Sequence, residues 1–264
     1  MRLLKESRSR KIGLVALLAV VAIGLLGYFL VHSAAVRLAA EASDLRKSSA
    51  ERLGDVNSLS QIPGQRATQL LIGIATNPAA PFDSRNAAVA ALKRRNDPAI
   101  SGDLAILLQP QNAETLRRAV ADALNQLPCS FDCARSVLHY LERMWRGDSN
   151  SDDVVLDSPP TAFLAKVDPQ MITSKMNDAH ENRQQLVSKL ETILSKNRAP
   201  TLAGLRQIYG LGSYHPSGFA LYMMGELRLS EACPDLQKPH LEDITGEKMA
   251  SQIQAVKQQL CSSP

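Results

Sequence analysis

From Ile12 to Val31 the chain reads IGLVALLAVVAIGLLGYFLV, twenty residues without a charge. A helix of that length rises about 30 Å, the thickness of a bilayer's hydrocarbon core. Inside lipid, a lone segment can satisfy its backbone groups only as a helix. The pattern predicts a transmembrane helix over 12–31, with Tyr28 as an interfacial aromatic at its outer end. A core helix of a soluble protein seldom stays apolar around every face for so long. Beyond Val31 the apolar positions thin out. Residues 32–63 read as a helical stalk and linker, with Val36, Leu38, Leu45 and Leu53 too sparse for a heptad seam and Gly54–Gly64 as the linker.

From Gly64 onward apolar residues recur every three or four positions, the period of helices with one buried face. Gln65–Thr76 carries Ala67, Leu70, Leu71 and Ile74 on one side, and Asn77-Pro78 ends it. Asp83 is placed to cap a helix through Arg95, whose Lys93, Arg94 and Arg95 suit the negative end of the dipole. Ser101 opens a short helix with Leu104, Leu107 and Leu108. Ala113–Leu127 aligns Leu116, Val120, Ala123 and Leu124 before Pro128, and Asp132 caps a helix with Val137, Leu138, Leu141 and Trp145 inward.

Residues 148–167 are acidic and proline-rich, an exposed loop by composition. Asp168 and Pro169 then open a helix to Asn197 with the stripe Ile172, Met176, Ala179, Leu186, Leu190 and Leu194, an insertion or brace. Leu202, Leu205 and Ile208 mark a short helix ending at Gly210, and Lys248–Leu260 closes the chain as a terminal cap. Strand-like alternation is nearly absent, so the fold class is all-α.

Two alanine-rich stretches, Arg85–Leu92 (RNAAVAAL) and Arg117–Leu124 (RRAVADAL), match at four of eight positions, 32 residues apart. Asp97, Pro98 and Leu104, and later Gly225, Glu226, Leu227, Ala232, Pro234 and Leu236, set a helix end, a turn and a proline-opened second helix. This partial pattern resembles the HEAT-like repeat. The resemblance implies helix pairs stacked into an α-α superhelix over 64–147 and again within 168–264.

Charge fixes the orientation. The head (residues 1–11) holds Arg2, Lys5, Arg8, Arg10 and Lys11 against Glu6, leaving twenty-five basic and twenty-five acidic residues for the rest of the chain. By the positive-inside rule the head is cytoplasmic and the body lies across the membrane. The pI near 8.9 reflects that head rather than a nucleic-acid-binding face. A cleaved signal, with Ser33-Ala34-Ala35 as a processing site, is the alternative; its apolar core is shorter than the run seen here. Both readings export the body. The exported region has no N-x-S/T sequon, which favours a bacterial inner membrane with a periplasmic body.

Four cysteines, Cys129, Cys133, Cys233 and Cys261, suit an exported domain and allow three pairings, of which the local Cys129–Cys133 and Cys233–Cys261 is preferred. The C-x₃-C spacing is neither a redox C-x-x-C motif nor half of a nearby zinc site. No hydrolase elbow, P-loop, zincin or dinucleotide motif occurs, and His32, His139, His180, His215 and His240 share no ligand spacing. Asp152, Asp153 and Asp157 lack the glycine and terminal glutamate of a calcium loop. Neither a cofactor nor a metal is called for.

The one stretch dense in candidate chemistry is Tyr209–Tyr222, YGLGSYHPSGFALY. It would present Tyr214, His215, Ser217 and Tyr222 from a loop on a rigid frame, or use its aromatics to plug a gap between helices, with Ser217 as a cap. Pro216 disfavours a helical His215. The expectation is a non-enzymatic scaffold, held in the lipid bilayer by residues 12–31 and binding a protein or peptide partner. The rivals are an envelope enzyme using the Tyr209–Tyr222 loop and a thiol-redox role at Cys129 and Cys133.

Overall fold

The computed structural model describes residues 21–24, 27, 29–109, 111–146, 174–210, 214–237 and 247–261. Every regular element among them is helical. The basic head, Ile12–Val20, Tyr28, the acidic residues Asp152, Asp153 and Asp157, the Asp168-Pro169 helix start and His240 lie outside the described residues. So do the side chains of Trp145, Met176, Ala179, His180 and Met249. The chain divides into two compact units, Met1–Ala91 and Leu92–Pro264.

In the first unit α1 (Val21–Ala42) is long and apolar enough to cross a bilayer, judged by length and composition alone. Its upper part exposes Ile23, Phe29 and Leu30, whereas Ala35, Ala39 and Ala42 are buried. The expected continuous stalk breaks at residues 43–48. Asp44 accepts the Arg46 backbone N–H (2.9 Å), and Ser48 starts α2 (Ser49–Gln61) through a reciprocal capping box with Glu51. Lys47 pins the turn between Glu41 (3.0 Å) and Asp55 (2.8 Å), and those two acceptors, Asp55 foremost, raise its pKa.

The expected 54–64 linker shrinks to 62–64, because Gly54 sits on an exposed helix face where nothing disfavours it beyond backbone entropy. Gly64, at φ +98°, takes the left-handed turn into α3 (Gln65–Thr76). Leu59, Val56, Ala67, Leu71 and Ile74 make the small core of α2 and α3. Then α4 (Phe82–Arg95) starts with Asp83 inside its first turn rather than before it, paired to Arg52 at 2.8 Å.

The second unit contains the larger core. Asn96, in the left-handed region at φ 51°, ends α4, and Asp97 rather than Ser101 caps the next helical segment by accepting the Ala99 N–H (3.0 Å). That segment, Pro98–Leu108, is a composite of two 3₁₀ turns around α5 (Ser101–Ala105). After α6 (Glu114–Leu124) comes α7 (Phe131–Arg146), capped by Ser130, whose hydroxyl accepts the Cys133 N–H (3.2 Å); Asp132 is not the cap.

α8 (Ser174–Lys196) buries Leu186, Val187, Leu190, Ile193 and Leu194 against α6, α7 and α9 (Arg198–Tyr209). Its described part is thus a wall of the bundle. α10 (Tyr214–Glu226) packs on α9 and on α12 (Glu247–Cys261), and the short α11 (Cys233–Leu236) lies between them in sequence and against α12 in space.

α7 is the hub, touching the Pro98–Leu108 segment, α8, α9 and α10. Its residues Ala134, Val137, Leu138 and Leu141 are fully buried. α9 approaches it closely because residue 204 is glycine: a Cβ there would stand 2.9 Å from Leu138 Cδ1. Asn197 locks the corner between α8 and α9. Its Oδ1 accepts the Cys129 N–H (3.0 Å) while its Nδ2 donates to the Ile193 carbonyl (2.7 Å).

Candidate functional site

The cysteines pair locally, Cys129 with Cys133 and Cys233 with Cys261, at Cα separations of 5.3 and 5.5 Å. The first bond staples the start of α7, and the second ties α11 to the end of α12. Bonds of this kind persist in oxidising, extracytoplasmic compartments. Cys129 and Cys133 are both buried, so the approach that thiol exchange needs is closed to solvent.

The Tyr209–Tyr222 stretch is not an open loop. Tyr209 ends α9, and α10 begins at Tyr214, so only residues 210–213 separate the two helices. Pro216 is accommodated in the first turn of α10, where no N–H has an intrahelical acceptor to lose, and the backbone at His215 is helical after all. Ser217 is not a cap. It is fully buried, and its hydroxyl donates to the Tyr209 carbonyl (3.3 Å), tying α10 to α9. Phe219 is fully buried and Tyr222 half-buried. The side chains of Tyr214 and His215 lie outside the described residues. With Ser217 sealed, a hydroxyl nucleophile at this position has no path to a substrate.

A better-formed site lies on the outer face of α7. A cleft of about 400 Å³ opens between α7, the end of α9 and Gln109. Arg135, His139 and Glu142, at i, i+4 and i+7 along α7, share one face and form its floor with Ser136; Gln207 and Ile208 form the α9 wall. Arg135 and His139 are exposed, while Glu142 is buried. Arg143 donates to Gln109 Oε1 (3.3 Å), which steadies the opposite wall.

His139 Nδ1 stands 3.7 Å from Glu142 Oε2, too far for a hydrogen bond, so the two attract only when the imidazole is protonated. The cleft thus offers two cationic or potentially cationic groups, two side-chain amides and a buried carboxylate around one aliphatic contact. That set can hold an extended polar segment by several hydrogen bonds.

Sequence reading passed over this site. His139 was legible as a surface residue of a helix, but the cleft depends on how α9 packs against α7, closest at Gly204, which is a tertiary fact. The available signal was the polar series Arg135, His139, Glu142 and Arg143 on one side of an amphipathic helix.

A second unusual group is Glu191 on α8. Its Oε1 is sealed from solvent without a hydrogen-bond partner; burial, and then the charge of Glu226, push its pKa up to about 7. No cluster of three or more metal-binding side chains occurs among the described residues.

Set against protein-family models, curated proteins and solved structures, the chain matches none. What fold and site define is a class only: a disulfide-linked protein, all-helical in its described residues, with one N-terminal helix among them long and apolar enough to cross a membrane.

Proposed function

We propose that this protein is a membrane-anchored, non-enzymatic scaffold that holds a protein or peptide partner in the α7–α9 cleft. The observation that carries the reading is that cleft: open, polar, built on rigid helices, and lined by side chains that donate and accept without converging on a reacting atom. In this reading residues 12–31 span a bacterial inner membrane, with the basic head in the cytoplasm and the body in the periplasm. The two disulfides support an oxidising compartment for the body, and the positive head supports the orientation. Anchoring raises the effective concentration of a partner at the membrane, so a shallow cleft of modest affinity suffices.

The resemblance to HEAT-like repeats belongs to the same proposal. Its local support is that a left-handed residue precedes each proline-containing turn: Asn96 stands before the 3₁₀ turn that Pro98 opens, and Arg228 before the 3₁₀ turn Ser230–Ala232 that runs on into α11, where Pro234 is the second residue. Stacking of such pairs would give the surface that presents the cleft. The rival enzyme reading loses ground to the buried Ser217, and the thiol-redox reading to the buried Cys129 and Cys133.

The test is site-specific photo-crosslinking in intact cells, with the probe at Gln207 in the cleft and, as control, at Thr192 on the exposed side of α8. A discrete adduct from position 207, absent from 192 and abolished by Arg135→Glu, is expected. Equal, diffuse labelling from both positions would overturn the cleft reading. Protease digestion of spheroplasts should cleave the body and spare the head; the reverse pattern would overturn the orientation.

A further inference from the structure

The exposed apolar surface of α1 runs directly into a groove. Phe29, Leu30 and Val31 are exposed on the helix, and Val31 is also the first wall of a cleft of about 370 Å³ where α1 passes the connection between α2 and α3. His32 and Ala35 continue that wall, and Pro63, Arg66 and Gln69 face them. All of these residues belong to the first unit.

The lining combines two chemistries. Val31 terminates the charge-free run, so the groove adjoins the surface assigned to acyl chains. Ala35, Ile62, Pro63 and Ala67 extend the apolar lining, His32, Gln65, Arg66 and Gln69 add polar and basic groups, and no acidic residue contributes. The Arg66 guanidinium is exposed and makes no ion pair or hydrogen bond among the described residues. The groove therefore lies just beyond the charge-free run, where hydrocarbon gives way to headgroups, with apolar and cationic groups side by side in its lining. Its volume admits a polar headgroup and the first methylenes of a chain, and is too small for a helix of a second copy.

We propose that this groove binds the headgroup of an anionic phospholipid, with the phosphate against Arg66, the imidazole of His32 and amide of Gln69 as polar neighbours, and the acyl chains leaving along Val31 and Leu30. The inference rests on the membrane reading of α1. It makes the first unit a body that stands on the bilayer surface with a lipid as part of its footing. Inorganic phosphate satisfies Arg66 equally well but leaves the apolar lining unfilled, so the diacyl lipid is the occupant.

The full-length protein is reconstituted in nanodiscs of phosphatidylcholine and phosphatidylglycerol, and the lipid it retains is measured by native mass spectrometry. Retained phosphatidylglycerol should exceed the disc composition by about fivefold, the contribution of one basic side chain at an anionic surface. Arg66→Glu should return it to the disc ratio with an unchanged helical spectrum, as expected of an exposed side chain, and Arg66→Lys should keep most of the enrichment. Millimolar inorganic phosphate should leave the lipid in place.

Retention at the disc ratio, indifference to Arg66→Glu, displacement by inorganic phosphate, or a two-chain species in place of the lipid adduct would each overturn the inference. Entry into discs without enrichment overturns this inference alone. Failure to enter discs overturns the membrane reading and this inference with it.

Discussion

The folded chain should lose stability between about pH 4.5 and 7, and Glu191 is the group responsible. In the folded state burial, and then Glu226, hold its carboxyl near pKa 7 against an ordinary 4.5. Across that window the folded protein keeps a proton that the unfolded chain has released. Its stabilising contribution is therefore complete below about pH 4.5 and falls as pH rises through 7. The full shift corresponds to about 3 kcal/mol, and the partial exposure of Glu191 screens it to about 1–2 kcal/mol.

Among the described residues, the other carboxyls that are clearly displaced move the opposite way. Hydrogen bonds from Arg198 draw Glu231 down to about 2, and the Ser48 hydroxyl lowers Glu51. At Asp83 burial pushes upward, but Ser49 and Arg52 outweigh it. These groups act below pH 4.5 and leave the window to Glu191. Glu191→Gln removes the ionisation at nearly constant volume. Urea unfolding followed by far-UV circular dichroism, from pH 4.5 to 8, should show the variant more stable by about 1–2 kcal/mol at pH 8 and level with the parent at pH 4.5. Parallel pH profiles for the two proteins, or a variant less stable at pH 8, would refute the reasoning.

Gly204→Ala forces a methyl to within 2.9 Å of the buried Leu138, and should cost about 1–2 kcal/mol after the roughly 1 kcal/mol helix-propensity gain is credited. Gly54→Ala, with nothing within 4 Å of its new Cβ, should instead stabilise by about 0.5–1 kcal/mol in the same urea experiment. Replacing Cys233 and Cys261 by serine opens a 28-residue span and should cost about 3–4 kcal/mol, against about 2 kcal/mol for Cys129 and Cys133 with a separation of 4, compared by their thermal midpoints. Asn197→Ala strands the Cys129 N–H and unlocks the α8–α9 corner. A loss of about 1–3 kcal/mol is expected, with amide exchange rising first at residue 129.

Most helices were legible because their apolar spacing and their breakers agree: Asn77-Pro78 and Pro128 follow helix ends, and the Lys248–Leu260 stripe falls within α12. Misreadings came from breakers whose effect depends on position. Gly54 suggested a linker, yet an exposed glycine inside a helix costs only about 1 kcal/mol, and the neighbours of α2 outweigh it. Pro216 suggested an open loop, yet in a first turn it breaks no hydrogen bond. The break at residues 43–48 was written in the sequence as Ser48-x-x-Glu51 and was hidden by the apolar helix before it. The α7–α9 cleft was out of reach of any local pattern, since its two walls lie about seventy residues apart in sequence and pack together along both helices, most closely where Gly204 faces Leu138.

The disulfide map also sets a timetable. A chain made and delivered from its N-terminus presents Cys129 and Cys133 together, a hundred residues before Cys233 appears. An oxidase meeting the emerging chain has one thiol pair to join at that moment, and the correct bond is the sole bond on offer. By the time Cys233 and Cys261 emerge, the first two sulfurs are already spent. Order of arrival thus does the sorting that proteins with interleaved cysteines leave to an isomerase, and oxidation of this chain should need none.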